Sequence, residues 1–286
     1  MTKKSGLLFF MLVLSVATLS ESFAQETMPV KPDNTAVRQD SIAAPFTPRR
    51  LENSAYKLGE RFKYNLKYGV IKGAETEIAV TGEDVRHGRP VYHVEFSAKT
   101  VSPFDGFFKV DDRYETYIDK EGQYPHYFKQ RVREGKYSRD DEVEFFHDKG
   151  YAHSITRNEQ FPMETYAQDV LSSYFFVRTL KLKSLPNGST IMMREFSEDK
   201  VYPLQVKILR RETIETEIGA FKTIVIEPLV QGAGLFKSEG KIVIWMTDDE
   251  NKIPVKISIK VAVGAITAEI SEMQGVRNPM VAKLEE

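Results

Sequence analysis

Arg61-Phe62-Lys63-Tyr64-Asn65-Leu66-Lys67-Tyr68 alternates without a break: Phe62, Tyr64, Leu66 and Tyr68 share one phase, and Arg61, Lys63, Asn65 and Lys67 the other. Successive side chains of an extended chain leave on opposite faces, so this period of two describes a strand with one buried and one wet face. The pattern returns at Thr76, Ile78 and Val80, and again at Tyr92, Val94 and Phe96, which oppose His93, Glu95 and Ser97. It continues through Tyr124, His126, Phe128 and Val132, then Val143 and Phe145. The second half supplies Tyr202, Leu204, Val206 and Ile208, then Ile242, Ile244 and Met246, and finally Val255, Ile257, Ile259 and Val261 against Lys256, Ser258 and Lys260. Turn residues around Gly88, Gly122, Gly150 and Gly219 join these runs closely. Short links between alternating strands mean hairpins, hence antiparallel pairing.

One segment departs from the period. Over residues 166–183, Val170, Leu171, Tyr174, Phe175, Val177 and Leu182 follow helical spacing, Thr165 with Gln168 fits a capping box, and Pro186-Asn187-Gly188 closes the segment. About a dozen one-faced strands need a surface to bury against, and one helix does not cover a flat sheet of that width. The expected fold is therefore mainly β: a strongly curled antiparallel sheet, barrel-like or two-layered, with one main helix at 166–183.

A unit of loop, strand, acidic turn and strand occurs twice. Gly106-Phe107-Phe108-Lys109 opens the first copy, which runs to Tyr124-Pro125; Gly234-Leu235-Phe236-Lys237 opens the second, which runs to Ile253-Pro254. Glu75-Thr76-Glu77-Ile78 and Glu215-Thr216-Glu217-Ile218 also recur. Two readings stand side by side: duplicated β halves, 59–160 and 189–275, joined by the helix, or chance recurrence of short β motifs.

The chain opens with Lys3 and Lys4, an apolar run from Leu7 to Leu19, and Ser22-Phe23-Ala24 before Gln25. These are the three parts of a secretory leader with a cut after Ala24, which places the mature chain in the periplasm. The apolar run is short of the roughly 20 residues that span a bilayer, and no later segment reaches that length. Residues 25–58, with Pro29, Pro32, Pro45 and Pro48, read as a disordered linker, 59–275 as a single β-rich domain, and 276–286 as a flexible tail. There is no cysteine, so the domain is held by its own core rather than by disulfides. A formal charge of -1 without a basic cluster gives no support to nucleic-acid binding.

Residues 234–257, followed by Val263-Gly264-Ala265-Ile266, resemble the signature of a bacterial envelope family called domain of unknown function 3108. Gln168 to Arg178 resembles that family's helix, and Gly59-Glu60-Arg61-Phe62-Lys63-Tyr64 its first strand. The likeness runs from about Lys57 to Gln274. It implies an exported β-rich protein without an established activity, and it carries over no catalytic residue.

No motif supplies chemistry. His87, His93, His126, His147 and His153 lack metal-ligand spacing and read as structural. The acidic pairs and triplets at Asp111-Asp112, Asp140-Asp141-Glu142 and Asp248-Asp249-Glu250 read as turns or solvated faces. Neither a nucleophile elbow nor a phosphate loop is present. The candidate contact residues are aromatic or apolar: Phe107, Phe108, Leu235 and Phe236 on loops, and Trp245 on the face opposite Ile242, Ile244 and Met246, with a doubly covered strand as the plainer account of Trp245. The expectation is a non-enzymatic periplasmic protein without cofactor or metal, binding a hydrophobic or envelope-derived ligand or an envelope partner. The rival readings are an assembly module of the envelope and, behind it, an envelope hydrolase.

Overall fold

The computed structural model of the chain describes residues 46–106, 108–230, 241–261 and 263–285. The leader, its cut site and most of the linker lie outside the described residues. Fourteen strands form one sheet. In chain order they are β1 (Arg61–Tyr68), β2 (Ile71–Arg86), β3 (Arg89–Thr100), β4 (Asp111–Asp119), β5 (Pro125–Glu134), β6 (Tyr137–Phe146), β7 (Tyr151–Ser154) and β8 (Glu159–Pro162). After helix α1 (Val170–Thr179) come β9 (Thr190–Ser197), β10 (Lys200–Thr216), β11 (Gly219–Val230), β12 (Ile242–Thr247), β13 (Pro254–Lys260) and β14 (Ala265–Gln274). Spatial order is β8 through β1, then β14 through β9, so every neighbour is a sequence neighbour except the pair β1 and β14. All the ladders are antiparallel. The sheet is mainly β, curled and not closed, with β8 and β9 as its two edges.

Curling follows from sequence-placed irregularities. Register shifts occur at Lys63/Tyr64, Val80/Gly82, Tyr117/Ile118, Ile208/Arg210 and Trp245/Met246. Each extra residue raises the local twist and bends the strand, so a broad sheet wraps instead of lying flat. Phe62, Tyr64, Leu66, Ile78, Val80, Val94, Leu204, Val206 and Ile208 are all buried, on the phase the alternation assigns.

The helix is shorter than the periodicity predicts. Residues 165–166 form a turn, with Tyr166 at φ +65°, and Gln168 then pairs with the edge strand β9: its N–H donates to Arg194 O (2.9 Å) and its carbonyl accepts from Phe196 N (2.7 Å). The cap is Asp169, not Thr165: its Oδ1 accepts from Leu171 N (2.7 Å) and Ser172 N (2.8 Å), while Ser172 Oγ accepts from Asp169 N (2.8 Å). Leu182–Ser184 continues only as a 3-10 turn.

Both terminal segments are also more ordered than composition predicts. Arg49 donates to Gly122 O (2.7 Å) and Gln123 O (2.9 Å), and Tyr56 is fully buried with its ring 4.7 Å from that of Phe175. The expected tail docks against β11: Lys222 N donates to Ala282 O (2.8 Å), and Leu284 N donates to Ala220 O (2.9 Å). Residues 46–58 and 276–285 thus belong to the folded body, because they bury the apolar face that the strands leave bare at one end.

At that sealed end the guanidinium of Arg178 is completely buried. It donates to Glu60 Oε1 (2.5 Å) and Oε2 (2.9 Å), to Asn251 O (3.0 Å) and to Ala55 O (3.3 Å). Burial opposes its charge, but the Glu60 carboxylate holds its proton more firmly than in water.

The strand-turn-strand parts of the repeated unit are alike as hairpins, and the loop that opens the second copy lies outside the described residues. The pairs Ile118↔Pro125 and Met246↔Pro254 both follow a register shift. Asp119 Oδ1 accepts from Glu121 N (3.0 Å) and Gly122 N (2.6 Å), as Asp249 Oδ1 does from Asn251 N (3.0 Å) and Lys252 N (3.2 Å). The Glu-Thr-Glu-Ile copies do not correspond, since Glu75–Ile78 lies inside β2 and Glu215–Ile218 rounds the β10–β11 turn.

Truncating one member of a buried ion pair strands the other. Arg178→Ala is expected to destabilise the protein by about 3–5 kcal/mol, read as a lowered midpoint in urea denaturation; a loss below about 1 kcal/mol would show that Glu60 finds water there.

Candidate functional site

A ten-residue helix covers only part of the concave face. Beside it lies a cavity of about 260 Å³, walled by α1 and by inward residues from most of the sheet. Its lining is overwhelmingly apolar: Phe96, Val206, Ile226, Ile244, Ile257 and Ala268 stand opposite Val170, Tyr174 and Val177 of the helix. Phe96, Ile244, Ile257 and Ala268 point inward and yet are only half-buried. Apolar side chains on a core-facing phase that keep solvent contact mark an unfilled interior. The cavity stops short of the Arg178 seal and reaches the other end, where Pro228, Ile242, Ile259 and Ile266 line it and the nearby Leu229 and Val263 are exposed.

The polar groups at the apolar wall are few. Tyr64 Oη donates to the Pro254 carbonyl (3.0 Å), which removes it from the binding inventory. Tyr174 Oη is buried beside Tyr64 and Arg178 and has no well-formed hydrogen bond among the described residues. Glu195, 6% exposed, is the one carboxylate in the lining, and it accepts no hydrogen bond among the described residues. Burial raises its pKa to about 7, and the neighbouring charge of Asp169 adds to the rise. Asp169 itself is pushed up to about 6 by burial, against the hydrogen bonds from Thr116 and from the helix N-terminus.

Glu195 and Val170 also line a second, smaller cavity of about 60 Å³ towards β4, β5 and β6. This one is the more polar of the two, and Arg139 and Asp141 pair within it. Further along the same wall, Asp112 and Glu134 are buried together, and burial raises them to about 6 and about 7. Asp112 and Asp141 are therefore not the solvated acids that their sequence runs suggest, because alternation turns them inward; Asp140, exposed and paired with Arg133 (2.6 Å), is one.

Three histidines converge although no spacing announces them. His126 Nε2 lies 3.0 Å from Asp119 Oδ2 and its Nδ1 3.2 Å from His87 Nδ1; His87 Nε2 lies 2.9 Å from Glu144 Oε1. His147 donates from Nε2 to Pro125 O (2.7 Å) and accepts at Nδ1 from Tyr166 N (3.0 Å), a neutral ring that burial pushes down to about 3. Among the described residues no group of three or more His, Asp or Glu is placed to hold a metal ion.

Of the contact residues proposed from sequence, the described ones, Phe108 and Trp245, do not line the cavity. Phe107, Leu235 and Phe236 lie outside the described residues. Phe108 packs its ring on Gly135, where an added Cβ would meet it at 2.8 Å. Trp245 occupies the outer face, half-buried, with Nε1 donating to Glu212 Oε1 (2.6 Å) and Lys256 Nζ 5.6 Å from its ring centre. Glu195 was missed although a signal existed: β9 carries Ile191, Met193 and Glu195 on one phase, a charge where the pattern calls for an apolar residue.

The family model for DUF3108, described as a protein of unknown function, matches residues 63–271. Among solved structures, the beta-barrel-like protein of domain of unknown function DUF1849 from Brucella abortus is similar at 9% identity and TM-score 0.51, over 78% of this chain and 99% of that one. A hypothetical protein from Chlamydia trachomatis, at 11% identity and TM-score 0.37 over 82% of this chain and 94% of that one, is a looser likeness. No curated protein matches. The first of these likenesses establishes the curled barrel-like fold, and none of the matches indicates a catalytic family.

The raised pKa of Glu195 has a definite sign. Between its ordinary 4.5 and about 7 the folded chain holds a proton that the unfolded chain has released, so stability from this group falls as pH rises through that window. Glu195→Gln, which never ionises, is expected to raise the thermal midpoint at pH 8, by an amount equivalent to at most about 3 kcal/mol, and to change it little at pH 4.5. Equal shifts at both pH values in a melting series would contradict this.

Proposed function

The chain belongs to the DUF3108 family, and from that premise we propose that it is an exported, periplasmic, non-enzymatic protein that binds a hydrophobic ligand of the envelope in the cavity beside α1. The observation that carries this reading is the combination of a sealed end and an unfinished apolar interior. Arg178, Glu60 and both terminal segments close one end of the curl, while inward-facing Ile244, Ile257 and Ala268 remain half-buried around about 260 Å³ of space. Filling such a space with hydrocarbon removes the remaining apolar surface from water at about 25 cal/mol per Å², a gain the protein does not obtain alone. The volume falls near the lower end of ligand sites, roughly 300–1,000 Å³, which suits one acyl or alkyl chain better than a multi-chain lipid.

The leader at residues 1–24 supports export, and the absence of cysteine fits a domain stabilised by its core alone. Among the described residues no helix is long and apolar enough to cross a membrane. The wall of this cavity carries a single carboxylate, Glu195, which favours binding over glycoside hydrolysis, a reaction that needs a facing pair.

Native mass spectrometry of the mature protein from envelope extracts is expected to show a bound species of lipid mass. Ile257→Trp and Ile244→Trp, which fill the cavity, are expected to keep the melting temperature and weaken binding of a fluorescent hydrophobic probe by about tenfold or more, or 1.4 kcal/mol. Ligand-free wild-type protein that does not bind the probe would overturn the reading.

A further inference from the structure

The two cavities meet at Val170 and Glu195, which line both. One is apolar and the other charged, and the charge is unbalanced. The smaller cavity is lined by the carboxylates of Asp141, Asp169, Glu195, Glu198 and Asp199 but by only two guanidiniums, Arg139 and Arg157. Both guanidiniums are already committed, Arg139 to Asp141 and Arg157 to Asp199. Asp169 is satisfied by the Leu171 and Ser172 amides and by the Thr116 hydroxyl, 2.6 Å from Oδ2. Glu195 is left over: more than nine-tenths buried, without a hydrogen bond among the described residues, and at the boundary between the apolar and the acidic space. A buried carboxylate without a partner is a costly arrangement, and a cation or hydrogen-bond donor arriving with a ligand relieves it.

We propose that the cavity binds a single-chain amphipath with a protonated amine head, the chain lying along Ile244, Ile257 and Val177 and the ammonium seated against the Glu195 carboxylate. The reading rests on the cavity being a ligand site. It adds the sign of the head group: an anionic head, carboxylate or phosphate, meets the field of Glu195 and Asp169 and is disfavoured. A charge-assisted hydrogen bond in a desolvated site contributes about 1.5–3 kcal/mol, which sets the scale of discrimination at roughly tenfold to a hundredfold.

Three probes of equal chain length separate the contributions: decylammonium, decanol and decanoate, each titrated at pH 7.5 into wild-type mature protein and into Glu195→Gln. The expected result is decylammonium tightest and decanoate weakest, about tenfold or more apart. In Glu195→Gln the amine is expected to lose about fivefold or more while decanol is unchanged. Comparable binding of all three, or decanoate tightest, overturns the head-group assignment and leaves the cavity reading standing. An amine preference that survives Glu195→Gln also overturns it, since diffuse surface charge would then be the cause. Absence of binding by all three, decanol included, overturns both readings. The wild-type series discriminates by itself should the variant fold poorly.

Discussion

A guanidinium with no access to water anchors the closed end of this molecule. Arg178 comes from the helix, Glu60 from the residue that leads into β1, Ala55 from the N-terminal segment and Asn251 from the turn between β12 and β13. Three stretches far apart in sequence, around residues 55–60, 178 and 251, are therefore tied to a single charged group, whose burial is tolerable only with all of them in place. The ring faces of Tyr56, Phe62, Tyr174 and Phe175 lie 5.5–5.7 Å from the same guanidinium carbon. Cation and aromatic faces attract, and the result is a floor rather than an isolated ion pair.

With the floor fixed, the remaining geometry is a mismatch of sizes. Fourteen strands wrap a volume that one ten-residue helix and the terminal segments only partly occupy. The helix is held at its N-terminus by Asp169, which Thr116 on β4 grips, and near its C-terminus by Arg178, so it cannot slide to cover more of the sheet. The space beside it is a consequence of where its two ends are pinned. The edge strand β9 brings Glu195 to the same place because Gln168 pairs with its backbone immediately before the helix begins.

Much of this could be read from the chain before any coordinates. The period of two identified the inward faces of β1, β2, β3, β10, β12 and β13, and with them half of the cavity lining, since core-facing apolar residues line a void as readily as they fill one. The helix was legible as an element but not in its limits, because the backbone of Gln168 is recruited by β9, a tertiary contact without a local sequence signal. The contacts of residues 46–58 and 276–285 were illegible for the same reason: proline-rich polar composition describes a chain in isolation, whereas Tyr56 and Ala282 are buried against strands that lie distant in sequence. Convergence of His87, His126 and Asp119, and of Glu195 with Asp169, depends on strand register and stayed out of reach. Trp245 was placed on the correct face, and its partners Glu212 and Lys256 show why an aromatic ring is tolerated there.

The ladder between β1 and β14 has a bearing on how the chain reaches this state. Every other ladder joins consecutive strands and can form as a local hairpin. Phe62↔Met273 and Tyr64↔Ile270 instead close a loop over almost the whole domain. The entropy of that closure grows only slowly with length and weighs little on final stability, but it delays the step, since distant segments must find one another after the hairpins exist. Until then β1 is a sheet edge with free amides and carbonyls, carrying Phe62, Tyr64 and Leu66 on a face not yet covered. The first strand to be synthesised thus waits for the last, and over that interval the nascent chain is most open to pairing with the wrong neighbour.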